Sequence, residues 1–118
     1  MSRNPALRLR DIRKACLKVL DYTASLTKEA FLSDGKTFDA VMRNLEIIGE
    51  AVRGIPPAMR EANPDVEWRK IAGFRDVAIH EYPTIDEDVV WDIISMRVPV
   101  LLAQVEHILA AEAPESSG

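Results

Sequence analysis

A chain of 118 residues with 47% hydrophobic and 29% charged side chains has the size and make-up of one folded domain rather than of a disordered segment. No unbroken apolar run approaches the ~20 residues of a membrane span, so no membrane association is expected. The basic residues 1–10 lack the apolar stretch of a secretory leader. The single cysteine, Cys16, excludes an internal disulfide and no Cys/His spacing suits zinc, so the expected setting is reducing and cytoplasmic.

A net charge of −4 argues against a general nucleic-acid binder but leaves room for a nuclease, because a local arginine cluster attracts phosphate despite an acidic remainder. The charge is uneven. Residues 1–18 hold Arg3, Arg8, Arg10, Arg13, Lys14 and Lys18 against Asp11 alone, which reads first as a solvated face and second as a binding surface.

In chain order, Asn4-Pro5 makes a helix cap followed by proline at the first helical position. Ile12, Ala15, Cys16, Val19, Leu20 and Leu26 then form one apolar stripe. Thr27 caps a short second helix through Phe31 and Leu32, stopped by Asp34-Gly35. A third stripe, Phe38, Val41, Leu45, Ile48, Gly49 and Val52, ends at Gly54, where glycine suits a left-handed helix end and Pro56-Pro57 prevents continuation. Residues 57–63 can add a helical turn before Asn63-Pro64. A fourth helix is expected from about Asp65 to His80, carrying Trp68, Ile71 and Phe74 and ended by Tyr82-Pro83. Thr84 and Glu87 have the spacing of a capping box for the last helix, which carries Val89, Val90, Ile93, Ile94, Leu101, Leu102, Val105, Ile108 and Leu109. Pro99 inside it predicts a kink or a split. The whole is an all-α, four- to five-helix up-and-down bundle in one domain, residues 1–112, with residues 113–118 as a disordered tail. Met42, Ile47 and Trp91 fall off the main stripes and fit either a partner surface or tighter internal packing.

Of the two histidines, His107 reads as a surface or capping residue. His80 follows Arg75 by five positions, a spacing that by itself fits a surface arginine and a helix-closing histidine. The chemistry of the pair is nevertheless coherent. Metal-free RNA cleavage needs a base for the 2′-hydroxyl proton, a cation on the phosphate and an acid for the leaving oxygen. Histidine titrates near neutrality, and arginine grips phosphate through parallel hydrogen bonds. At about 100° per residue, Asp76 and His80 lie ~40° apart on a helix, so the carboxylate can orient the imidazole. Arg75 and His80 lie about 140° apart by the same count, which favours a site shared across a two-fold axis. Glu46 and Glu50, one turn apart, read as helix-surface partners of Arg43 and Arg53 rather than as metal ligands.

Several separated blocks resemble one known family in order: residues 44–51 (Asn-Leu-Glu-Ile-Ile-Gly-Glu-Ala), Pro64 with Trp68, Gly73-Phe74-Arg75-Asp76, His80-Glu81-Tyr82, and Val90-Trp91-Asp92-Ile93. From Thr37 to about Leu109 the chain resembles the HepT-like branch of the HEPN superfamily, whose motif of Arg, four residues, His, one residue, Tyr is matched by Arg75, His80 and Tyr82. The resemblance implies a HEPN-type bundle that dimerises with its motifs facing a common cleft, with no metal and no cofactor. It further implies an endoribonuclease toxin of a type VII-like toxin–antitoxin pair, silenced when a nucleotidyltransferase antitoxin AMPylates the motif tyrosine. Arg75 would then bind the scissile phosphate, His80 would be the acid–base group, Asp76 would fill the polar position after the arginine, and Tyr82 would be the AMPylated residue. An alternative within the same resemblance is a non-catalytic HEPN module that binds a nucleotidyltransferase or its nucleotide. For Tyr82, a half-buried ring with a wetted hydroxyl stands equally beside the modification role.

Overall fold

The structure, a computed structural model, describes residues 4–79 and 86–112. It is all-helical among those residues: three long helical stretches carry the core, and four short helices connect or brace them. The first long helix, α1 (Pro5–Thr23), starts where Asn4 accepts a hydrogen bond from the Ala6 amide at 2.8 Å, with Pro5 at the first helical position. Helix α2 (Lys28–Ser33) is capped by Thr27, whose hydroxyl accepts from the Ala30 amide at 3.1 Å. Asp34 both ends α2 and starts α3 (Gly35–Arg53), accepting from the Thr37 amide and hydroxyl at 3.1 and 2.8 Å. Those bonds hold its carboxyl below the usual range.

Helix α3 ends at Gly54, but not for the reason expected. Gly54 has φ −90° and ψ 0°, which any residue adopts, so no left-handed cap is present. The last carbonyls of α3 are met instead by Arg60 on α4 (Pro57–Ala62), which donates to the carbonyl oxygens of Val52 at 3.1 Å and Arg53 at 3.4 Å, and to that of Ile55 just beyond at 3.1 Å. What Gly54 supplies is space, since a Cβ there would lie 2.2 Å from Cζ of Arg8.

The single helix expected over about 65–80 is two short ones, α5 (Trp68–Ala72) and α6 (Phe74–Ile79). Gly73 separates them, its amide shared among the carbonyls of Arg69, Lys70 and Ile71, and glycine's low helix propensity makes it the natural break. The last long stretch begins with α7 (Glu87–Asp92), passes through a π-helical turn over Ile93–Arg97, and continues as α8 (Val98–Glu112). Its cap is Asp86, which accepts from the amides of Asp88 and Val89, not the expected Thr84, which lies outside the described residues. The interruption expected from Pro99 takes the form of the π turn immediately before it. Proline cannot donate to the preceding turn and its ring crowds the carbonyl four residues back, and a widened turn relieves both.

Helix α1 packs on α3 and on α8, and α3 also receives α5 and α6, within extents of 45 × 26 × 25 Å. Leu9, Ile12, Val19, Leu45, Ile48, Val52, Leu101 and Val105 are essentially inaccessible at the centre of this arrangement. Of the apolar residues off the stripes, Met42 is buried and Trp91 meets Phe31 with ring centroids 5.5 Å apart, so internal packing accounts for both. Ile47 is half-buried against the core. Residues Glu87–Ala111 are long and apolar enough to cross a bilayer by length and composition, contrary to the expectation drawn from unbroken runs. Asp92, Arg97 and Gln104 interrupt any run without lowering the mean hydropathy far, and the stripe Ile93, Ile94, Val98, Leu101, Val105 and Ile108 is buried in the bundle core.

Burial, with a lesser push from the charge of Glu106, raises the Cys16 thiol from its ordinary value of 9.0 to about 12. The folded protein therefore keeps the thiol protonated and unreactive where the unfolded chain ionises it. Iodoacetamide at pH 8.5 should label Cys16 only as fast as the chain opens, measured by mass spectrometry with and without urea. The stabilisation is whole below pH 9 and should be lost as pH rises from there towards about 12, a loss that Cys16→Ala removes.

Candidate active site

Two of the four residues singled out from the sequence, Arg75 and Asp76, sit on α6, so the described part of the site depends on how that short helix is held. Helix α6 lies against α3 at Gly49. A Cβ at position 49 would come within 2.6 Å of the Arg75 amide nitrogen, 2.7 Å of the Arg75 Cβ and 2.9 Å of the Ala72 carbonyl oxygen. Backbone meets backbone there, and only glycine permits it.

Two ion pairs cross this contact. Arg75, with about a third of its side chain exposed, directs Nε to the carboxylate of Glu50 on α3. Asp76, the next residue on α6, lies 3.5 Å from Arg53 of α3. Glu50 and Arg53 are three residues apart on one helix face, so α3 grips two consecutive residues of the motif with one charge of each sign. The pairs are too exposed to add more than about 1 kcal/mol each to stability. Their effect is on direction: they aim the Arg75 guanidinium along α3 and hold Asp76 at a helix end it already suits electrostatically.

This corrects the surface pairing expected for the two glutamates. Arg43 does reach Glu46, at 3.8 Å, but Arg53 turns to Asp76 and leaves Glu50 to Arg75. Pairs within one helix can be read from spacing, whereas these join segments more than twenty residues apart. Among the described residues no three His, Cys, Asp or Glu side chains converge as metal ligands. His80 and Tyr82 lie outside the described residues, so the structure positions the first half of the motif, Arg75 and Asp76. His107 is exposed on α8.

Sequence reasoning passed over Gly49 and Glu50 as functional residues. A glycine in the middle of an otherwise apolar helical stripe was the available signal, since its cost to the helix asks for a close neighbour.

The family model described as "Ribonuclease HepT-like" matches residues 12–108. This chain belongs to the HepT-like ribonuclease family. Among its relatives, "Putative RNase MJ0127" of Methanocaldococcus jannaschii is 39% identical over 86% of this chain and 84% of its own length. "Probable ribonuclease HepT" of Thermococcus cleftensis is 38% identical over 85% of this chain and 91% of its own. A Caldanaerobacter subterraneus protein, "Putative RNase TTE0752", is 36% identical over 93% of this chain and 98% of its own. No solved structure matches the chain. The HepT-like match spans the α3–α6 contact and the whole Arg75–Tyr82 segment.

Gly49→Ala should displace α6 from α3 and lower stability by about 1–3 kcal/mol, the range for overpacking a tight contact, as read from urea unfolding. Glu50→Gln should cost less than about 1 kcal/mol in the same assay. If the glutamine variant instead matches the alanine variant's loss, the Arg75–Glu50 pair is a structural keystone and not an aiming device.

Proposed function

We propose that this HepT-like chain is a metal-independent endoribonuclease toxin, cleaving RNA in a cleft shared by two copies of the chain. The observation that supports it best is the Arg75 guanidinium fixed on α3, part-exposed and five residues before His80 in a chain whose family match covers both. In this reading Arg75 binds the non-bridging oxygens of the scissile phosphate and stabilises the charge that grows there as the bond breaks. His80 takes the proton from the 2′-hydroxyl, whose oxygen attacks phosphorus, or returns a proton to the departing 5′-oxygen. The products are a 2′,3′-cyclic phosphate end and a free 5′-hydroxyl, a sequence that needs no oxidant and no metal. Asp76 steadies the imidazole in this scheme by accepting from it.

By helical count Arg75 and His80 fall about 140° apart, and a two-fold partner would supply the complementary group. Ile79 and Val89, exposed apolar residues flanking positions 80–85 in sequence, support a second copy meeting this face. Val89 also lines a groove of about 650 Å³ with Phe74, Val77 and Ile93. Regulation in this reading belongs to a nucleotidyltransferase antitoxin that transfers AMP to Tyr82. A nucleotide there would repel phosphate and fill the cleft. The setting for such an RNA target is the cytoplasm.

The Arg75–Glu50 pair also supports a second reading. An arginine already met by a carboxylate must exchange it for phosphate, and a non-catalytic module that binds a nucleotidyltransferase or its nucleotide has no need of that exchange.

The deciding experiment is cleavage of total RNA in EDTA by the wild type, Arg75→Ala and His80→Ala, each checked for folding by circular dichroism. Under the nuclease reading, wild type cuts, leaves cyclic phosphate ends, and each variant loses at least 100-fold in rate, the scale of a lost acid–base group or oxyanion partner. Equal cleavage by wild type and His80→Ala refutes the mechanism. No cleavage by wild type, with retained binding to a nucleotidyltransferase, selects the second reading. Co-expression with that partner should add one AMP to the wild type and none to Tyr82→Phe, as seen in the intact mass.

A further inference from the structure

Arg8 lies outside the motif yet shares its ground. It leaves α1 and lays its side chain over the end of α3, where Cδ, Nε and Cζ all come within 2.5 Å of the point a Cβ of Gly54 would occupy. The backbone at Gly54 does not require glycine, so the missing side chain serves only to admit the guanidinium.

The charge of Arg8 is also unanswered. Its Nε is buried with no hydrogen-bond partner, as is the Nε of Arg75 by the same donor geometry, but Arg75 has the Glu50 carboxylate beside it and Arg8 forms no ion pair among the described residues. Its neighbours are different: Glu50 meets Arg75, and Arg53 meets Asp76. Three arginines therefore meet α3, and two of them, Arg53 and Arg75, are paired there with carboxylates. A buried N–H without a partner is costly, and an anion reaching the Nε edge of this guanidinium would answer it.

The register says which anion. Glu50 and Gly54 are four residues apart on α3, so the points where Arg75 and Arg8 meet that helix lie on one side of it, about one turn or ~6 Å of rise apart. That is close to the separation of successive phosphates along an extended single strand. We infer that Arg8 is the second phosphate-binding arginine of the site, taking the phosphodiester next to the one held by Arg75 in a single-stranded RNA. The inference rests on the ribonuclease reading for the identity of the strand, and on the geometry of Arg8 and Gly54 for the site.

The test compares non-cleavable 2′-O-methyl oligonucleotides, a dinucleotide with one phosphodiester and a trinucleotide with two, binding to wild type and Arg8→Gln in NMR titrations. Wild type should prefer the trinucleotide. Arg8→Gln should lose roughly tenfold on the trinucleotide, the scale of one charge-assisted hydrogen bond, and little on the dinucleotide. The slope of its log affinity against log salt should fall by about 0.7. Gly54→Ala keeps Arg8 in the chain but evicts its guanidinium, and should reproduce the selective loss even if Arg8→Gln folds poorly. A wild type without preference for two phosphodiesters overturns the inference, as does an equal loss on both ligands in either variant. Intact preference in a protein that cleaves no RNA counts against the nuclease reading alone and leaves Arg8 as a phosphate site.

Discussion

The contact at Gly49 is the constraint from which the rest of the site follows. Helix α6 is six residues long, too short to be stable by its own hydrogen bonds, so its position comes from what it packs against. With backbone meeting backbone at Gly49, Arg75 starts from the surface of α3 itself, and its side chain has only to run along that helix to find Glu50. Any larger residue at 49 would lift α6 by the thickness of a side chain and move the guanidinium with it. Gly73 completes the arrangement by ending α5 before α6 begins, which lets the second segment take its direction from α3 instead of inheriting it from α5.

The same logic explains why weak interactions suffice. Half-exposed ion pairs contribute little to folding free energy, because water solvates the separated charges nearly as well. The core supplies stability instead, through Leu45, Ile48 and Val52 on the opposite side of α3 from the pairs. Helix α3 thus divides its labour by face, apolar toward α1 and charged toward α6. Glu50 and Arg53 can then aim α6 side chains without bearing the load of the fold. An arginine held by a partly hydrated carboxylate also remains able to exchange it, whereas a buried pair would be slow to open and expensive to break.

Much of the scaffold was legible in the residues. The Asn4, Thr27 and Asp34 caps and the stripes of α1 and α3 follow from local chemistry, and each element stands where that chemistry places it. The family motif directed attention to Arg75 and Asp76, and they do share one surface with α3. What could not be read was every feature settled between segments. The partner of Glu50 was assigned to Arg53 because spacing within a helix is the only pairing a lone sequence displays. The cap of the last helix moved from Thr84 to Asp86, since several oxygen-bearing residues in a row compete and the approach of the chain decides among them. The helix expected over about 65–80 runs through Gly73, where packing on α3 breaks it in two.

Gly54 is the most instructive of these cases because the right residue was noted for the wrong reason. Glycine after a helical stripe and before two prolines matches the left-handed cap, and the helix does end there. Yet the dihedral angles are ordinary, and Arg60 donates to the carbonyls of Val52 and Arg53 at the helix end. Once the conformational explanation is removed, the absence of a side chain needs another cause, and the guanidinium of Arg8 occupies the place. A position that spends glycine's entropy to admit an unpaired cation gains nothing for the apo fold from that choice, since both terms are unfavourable to folding. In the phosphate-site reading the gain comes from the anion the cation binds, and that reading extends the proposed functional surface from the motif to the end of α3.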